Sequence, residues 1–364
     1  MDNVSITRDH GGNVGEIARL RGIDESTIID FSASINPLGY PQGLRAAING
    51  RLDSILHYPD IDAHDLTEAL AGYHTAVPEH IAVGSGSTEF FYLIPQIMKP
   101  RTALIVSPAF SEYEKGLRMA GTDVSYFPTN KEQNFEIDAP ALCEMLRNRY
   151  DLLYICNPAN PTGVLTPKET LHRILMCARD AGTLTLVDEA FVDFVEEASL
   201  KSEIPAFHDL IVVRSMTKFF GLPGMRIGYI ISSSRWVTAI RHGKTPWSVS
   251  SLAQIAATAA LGDTAFIGAT RSYIAQEKLF LKDTLNTVPS IIAYDSAANY
   301  LFIAVDDKTG LTSTQVRDRL IPEGILIRDC STFQGLGDRY FRVAVKRHDQ
   351  NVILVDALRR IFEG

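Results

Sequence analysis

The segment Ser215-Met216-Thr217-Lys218, followed by Gly221, Gly224 and Arg226, sets a lysine in a glycine-bearing loop directly after the predicted strand Leu210-Ile211-Val212-Val213-Arg214. In an open α/β sheet, ligands bind outside the carboxyl ends of the strands, so an amine in that loop points into the crevice and can serve as nucleophile or proton carrier. Asp188 closes a second apolar run, Leu184-Thr185-Leu186-Val187. A carboxylate emerging from a buried strand calls for a cationic partner; a protonated ring nitrogen would serve, and the pairing would make that ring a better electron sink. The loop Asn157-Pro158-Ala159-Asn160-Pro161-Thr162-Gly163 follows a third apolar run. Its prolines and glycine restrict the backbone, so Asn160 can be held as a rigid hydrogen-bond donor. Gly84-Ser85-Gly86-Ser87-Thr88 lies between a predicted strand and a predicted helix, where free backbone N–H groups and the helix dipole favour a phosphate. No Gly-Lys-Ser/Thr follows, so this is not a nucleotide P-loop. Together, Ser87, Thr88, Ser215 and Arg226 would offer hydroxyl, amide and guanidinium donors to one phosphate.

Those side chains need a sizeable scaffold, and 364 residues supply one of about two domains. With 46% apolar and 21% charged residues the chain matches ordinary globular proteins, which excludes disordered and fibrous classes. The net charge of −8 leaves no cationic surplus for nucleic acid or an anionic membrane. No apolar stretch approaches the roughly 18 residues of a membrane span, and the first residues lack the basic-then-apolar order of a signal peptide, so a cytoplasmic protein is expected. Cys143, Cys156, Cys177 and Cys330 show no CxxC spacing and no histidines at metal-ligand intervals. Reduced, mostly core thiols and no metal are expected.

Apolar periodicity predicts helices over 14–22 and 43–55, then from about residue 66 an alternation of helices and short apolar strands that implies parallel pairing. A long helical stretch near 250–285 leads to a region of mixed strands and helices. The expected architecture is α/β: an N-terminal arm (1–43) joining the small domain, a large, mainly parallel-sheet domain (44–264) and a smaller α+β domain (265–364).

In order and spacing these motifs resemble the fold-type I pyridoxal-phosphate enzymes of the class I/II aminotransferase group, across nearly the whole chain. The resemblance implies that Lys218 holds the cofactor covalently, Asp188 pairs with its pyridine nitrogen and Asn160 bonds its phenolic oxygen. It further implies that Gly86, Ser87, Thr88, Ser215 and Arg226 hold the cofactor phosphate, and that Phe110, in Pro108-Ala109-Phe110-Ser111-Glu112-Tyr113, covers the ring. Tyr58, in His57-Tyr58-Pro59-Asp60, resembles the tyrosine that reaches the phosphate from a neighbouring subunit, which implies a homodimer. Arg342, in Tyr340-Phe341-Arg342-Val343, matches the family arginine for a substrate α-carboxylate.

Within the group, the chain is similar to histidinol-phosphate aminotransferases and, more closely, to threonine-phosphate decarboxylases. His10-Gly11-Gly12-Asn13 and the segment Asp30-Phe31-Ser32-Ala33-Ser34-Ile35-Asn36-Pro37 resemble the decarboxylase opening, in which the histidine and glycine amides would contact a substrate phosphate. Phe191 stands where aminotransferases usually carry a tyrosine that donates to the cofactor's phenolic oxygen, leaving Asn160 as donor. Arg328, in Ile327-Arg328-Asp329-Cys330, resembles the arginine that both subfamilies use for a substrate phosphate. Ser34 departs from the pattern, since the decarboxylases carry Asn there, and it leaves threonine phosphate and serine phosphate both open. The resemblance thus implies a small phosphorylated amino acid as substrate, decarboxylated on pyridoxal 5'-phosphate, with histidinol-phosphate transamination as the alternative.

Overall fold

A computed structural model describes residues 10–363. Along the chain come β1 (Ile29–Asp30), β2 (Ile81–Gly84), β3 (Thr102–Ser107), β4 (Asp123–Pro128), β5 (Leu152–Cys156), β6 (Leu184–Asp188), β7 (Leu210–Ser215), β8 (Gly228–Ser232), β9 (Ile291–Ala293), β10 (Tyr300–Val305), β11 (Ile325–Leu326), β12 (Arg328–Asp329) and β13 (Tyr340–Ala344). The described residues divide into two compact units, one of residues 35–275 and 296–299, the other of residues 10–34, 276–295 and 300–363. The sequence placed these boundaries at 43 and 264. Residues after Ser34 stay with the larger unit because the Asn36 amide donates to Phe219 O (2.7 Å) and Thr270 Oγ1 (2.8 Å), and Asn36 N donates to Lys218 O (3.1 Å).

The larger unit is built on a seven-stranded sheet of order β2-β8-β7-β6-β5-β3-β4. Its central strands β5, β6 and β7 are buried from end to end, which is why they read as near-continuous apolar runs. Side chains alternate between two cores: Leu153, Ile155, Val187 and Val212 join the one, Leu152, Tyr154, Leu186, Ile211 and Val213 the other. Pairing is parallel from β4 through β7, as the alternation of elements predicts, but β8 runs antiparallel to both β7 and β2. A parallel return needs a crossover element, and between β7 and β8 the only helical piece is the single turn Pro223–Met225. The predicted helix over 43–55 is likewise interrupted, as helix Leu44–Asn49 ends at Gly50 and a 3-10 segment Leu52–Leu56 follows.

The smaller unit carries a four-stranded antiparallel sheet, β12-β13-β10-β9, and a parallel β1-β11 pair that ties the N-terminal segment to it. Helices Ser313–Leu320 and His348–Glu363 complete this α+β body. Among the described residues no single helix is long and apolar enough to cross a membrane.

The cysteines correct one expectation. Cys143 and Cys177 form a disulfide with Cα atoms 5.5 Å apart, joining helices Ala139–Leu146 and Lys168–Ala181. Helix–helix packing brings the pair within bridging distance, which a spacing of 34 residues does not reveal. Cys156 and Cys330 are buried and outside any disulfide.

A polar clamp behind the sheet holds the ends of β6 and β7 together. Arg214 is fully buried and donates to Asp193 (2.8 Å), Glu196 (2.5 Å), Glu189 (3.3 Å) and Ser199 Oγ (3.3 Å). Lys201 adds a donor to Glu196 at 2.6 Å, and the Arg271 side chain donates to Asp193 O at 2.9 Å. Three carboxylates thus converge on one guanidinium, whose removal would strand them in a low-dielectric interior. Arg214→Met is expected to cost about 3–5 kcal/mol in urea unfolding; a loss below about 1 kcal/mol would mean the strand ends are held by packing alone.

Candidate active site

In the larger unit, β6 delivers Asp188 as its last residue, and parallel register sets it beside Cys156 of β5 and Val213 of β7. Its carboxylate is 5% exposed and held by two donors: Ala190 N to Oδ1 at 2.9 Å and the Tyr113 hydroxyl to Oδ2 at 2.5 Å. Burial raises its pKa to about 6, while the two hydrogen bonds and the charge of Lys218 act in the opposite direction. The site therefore holds an acid that a further cation would draw back to full ionisation, as a protonated ring nitrogen would.

Ser215 ends β7, and its hydroxyl lies 2.8 Å from Thr217 Oγ1. Half-buried Lys218 follows in the loop, its carbonyl fixed by Asn36. The phosphate expectation meets a specific geometry. Gly86 has φ +76°, and a Cβ there would lie 2.6 Å from Arg226 Nη2; a Cβ on Gly228 would lie 2.3 Å from Ser87 N. Only glycines allow this approach of a guanidinium to the amide-bearing turn. Ser87 caps the eleven-residue helix Thr88–Met98, so its first N–H groups open into the same turn. Arg226 is exposed, and among the described residues its guanidinium donates to Pro223 O at 3.3 Å, which leaves most of its fork available to an anion. This cradle, the hydroxyls of Ser87, Thr88 and Ser215, and the buried acid fit a phosphorylated cofactor with a basic ring nitrogen.

Asn160 is half-buried in a loop clipped by Ala159 N to Val164 O (2.8 Å), Gly163 N to Ala159 O (2.7 Å) and Thr166 N to Asn157 Oδ1 (2.8 Å). The peptide bonds before Pro108, Pro158 and Pro161 are cis. Phe110 precedes helix Ser111–Met119 and meets Phe91 and Tyr113 edge-on, at 6.3 and 5.8 Å between ring centroids. Phe191 is buried three residues after Asp188. Tyr58 stands apart from these groups, exposed and stacked on Trp247 at 4.6 Å.

In the smaller unit, antiparallel register sets Arg328 of β12 opposite Arg342 of β13, both only 8% exposed. Like charges directly opposite each other are unfavourable, the more so when buried. Arg342 lies over the Tyr300 ring at 4.6 Å and donates to Ser32 O at 3.2 Å, and Arg328 lies over Phe333 at 5.3 Å. Burial and the neighbouring Arg328 charge hold the Arg342 guanidinium below its ordinary range. A concavity beside Arg328 is lined by His10, Gly11, Ser32 and Arg317. Gly11 lies so close to the chain that a Cβ would meet Ser32 O at 2.2 Å, and Gly12 N donates to Ser32 Oγ at 2.9 Å. Ser34 is buried in the same unit.

The sequence therefore assembles two groups of its expected residues, one in each unit, and misses Tyr113 and Arg317. Tyr113 carries a signal, since it lies one helical turn beyond Phe110; Arg317 carries none, being one of several charged residues on its helix.

The sequence pattern of the family described as aminotransferase class I and II matches residues 26–358. A threonine-phosphate decarboxylase of Salmonella typhimurium is 36% identical over 359 residues, covering 98% of this chain and 97% of its own. The L-threonine-O-3-phosphate decarboxylase of Porphyromonas gingivalis superposes with a TM-score of 0.81 at 28% identity, over 92% of this chain and 99% of that structure. The histidinol-phosphate aminotransferase of Clostridium acetobutylicum does so with a TM-score of 0.85 at 29% identity, over 92% and 98%. With a mainly parallel α/β unit and a smaller α+β unit, and the family pattern spanning both, the chain belongs to the class I and II aminotransferase family of fold-type I enzymes.

Proposed function

We propose that this protein is a pyridoxal-phosphate-dependent decarboxylase that converts L-threonine O-3-phosphate to (R)-1-amino-2-propanol O-2-phosphate for cobalamin biosynthesis. The observation that carries the substrate class is the buried Arg328–Arg342 pair, two cations set opposite each other in a sheet. Such a pair favours a ligand with two anionic ends, and a phosphorylated amino acid has a phosphate and a carboxylate. Histidinol phosphate has only the first. Transamination of that substrate remains the second reading, favoured by the likeness to the Clostridium acetobutylicum enzyme.

Each group of residues has a task. When bound, pyridoxal phosphate supplies an electron sink for the bond broken at the substrate Cα. Gly86, Ser87, Thr88, Ser215 and Arg226 would hold its phosphate, Asp188 would keep its ring nitrogen protonated, Asn160 would donate to its phenolic oxygen and Phe110 would pack on its ring. Lys218 would hold the cofactor through its amine, and that amine would also be the group that carries a proton to the substrate Cα. Arg328, with His10 and the Gly11 amide, grips the substrate phosphate; Arg342 takes the carboxylate, and Ser34 shapes the pocket beside them. Fixing both anionic ends would restrict how the substrate Cα is presented, and that restriction would separate decarboxylation from proton removal.

The homodimer belongs to this reading. Leu52, Ile55, Leu56, Tyr58 and Ile61 expose a run of large apolar side chains beside exposed Trp247, and such patches mark association surfaces. A second copy covering that run would receive Tyr58 at its cofactor phosphate. A cytoplasmic location suits a small phosphorylated metabolite.

Two variants test the assignment. Lys218→Ala is expected to abolish turnover, and mass analysis after borohydride reduction should find cofactor attached to the parent but not to the variant; retained turnover would remove Lys218 from its role. Arg328→Ala should raise KM for the phosphorylated substrate by roughly ten- to hundredfold, the worth of a charged hydrogen bond, while cofactor affinity changes by less than about twofold. Equal losses in both would contradict a substrate-binding role.

A further inference from the structure

We infer that Tyr113 is a positioning residue for the reaction: its hydroxyl donates to Asp188 Oδ2 and fixes which edge of that carboxylate is presented to the cofactor ring nitrogen. The inference rests on the reading that this site binds pyridoxal phosphate.

A carboxylate that must face one ligand atom needs its rotation about the Cβ–Cγ bond removed. Ala190 N holds Oδ1 at 2.9 Å and Tyr113 holds Oδ2 at 2.5 Å, so the two bonds define the plane of the group. The second falls in the short range of charge-assisted O–H···O⁻ bonds, which are about twice as strong as neutral ones. Each oxygen retains a lone pair for a further donor.

Tyr113 is itself well fixed. It is 1% exposed, stacks on Tyr154 at 5.2 Å with 22° between planes, and takes the Phe91 ring edge-on at 4.7 Å. Phe110 lies one helical turn before it, so the same end of helix Ser111–Met119 carries both the ring-covering aromatic and the donor to Asp188. Burial pushes the Tyr113 phenol well above its ordinary range, so it remains a neutral donor. Its bond also draws the Asp188 carboxyl down against the burial that raises it, which keeps the acid available in its charged form. The neighbouring tyrosine supplies a contrast, because among the described residues the buried Tyr154 hydroxyl has no hydrogen-bond partner. Packing alone explains Tyr154; the Tyr113 oxygen has a specific task.

The test loads the parent protein, Tyr113→Phe, Tyr113→His and Tyr154→Phe with pyridoxal phosphate labelled with ¹⁵N in the ring, and reads the ring-nitrogen chemical shift beside steady-state kinetics and the thermal midpoint of each apoprotein. For Tyr113→Phe the signal is expected to move toward the unprotonated ring and kcat to fall by roughly ten- to hundredfold with KM within about twofold, the loss of one hydrogen bond to a charged group. Tyr113→His, which restores a donor, should recover part of the shift, and Tyr154→Phe should keep the parent signal. A loaded Tyr113→Phe protein with the parent ring-nitrogen signal would overturn the inference and leave Tyr113 as packing. A parent protein that takes up no pyridoxal phosphate would overturn the reading of the site itself, and the inference with it.

Discussion

The burial of Asp188 at the end of β6 is the constraint on which the larger unit turns. An ionised carboxylate taken out of water costs several kcal/mol unless it is paired, so everything around it must supply donors or charge. Two hydrogen bonds and a nearby lysine do so in part, yet its pKa is still raised to about 6. The remaining deficit is what a cationic ring nitrogen would fill, which makes a structural cost into a binding preference. The next residue, Glu189, meets the same problem with a different answer, bonding Ser199 Oγ and Leu200 N at 2.7 Å and the buried Arg214. Consecutive carboxylates thus differ: Asp188 keeps capacity for a further cation, and Glu189 helps lock the strand ends that carry Asp188 and Arg214.

The smaller unit repeats the logic with the opposite sign. Arg328 and Arg342 share a register position and are almost fully buried, an arrangement that aromatic faces and a carbonyl relieve only partly. A doubly anionic ligand would relieve it further. One unit therefore favours a cation and a phosphate, the other a ligand with two anionic ends, and this division suits a cofactor and a phosphorylated amino acid.

Much of this was legible in the sequence, for a physical reason. Lys218, Asp188, Asn160 and the Gly84–Thr88 turn stand out because polar residues end otherwise apolar strands, and that pattern survives in one dimension. Arg328 and Arg342 were legible singly, but their pairing depends on the register of β12 and β13, which no local spacing encodes. The antiparallel β8 was hidden because an apolar strand carries no mark of direction; only the lack of a crossover helix betrays it. The Cys143–Cys177 bridge depends on two helices meeting, and Tyr113 reads as one more core aromatic until the fold brings its hydroxyl to Asp188.

The central claim is that the substrate loses its carboxylate rather than its amine. The most direct measurement incubates the pyridoxal-phosphate-loaded protein with L-threonine O-3-phosphate in the absence of any keto acid, follows carbon dioxide and identifies the organic product by mass. The account predicts carbon dioxide and aminopropanol phosphate in equal amounts over many turnovers. No carbon dioxide, with amino transfer only when histidinol phosphate and 2-oxoglutarate are both supplied, would contradict it.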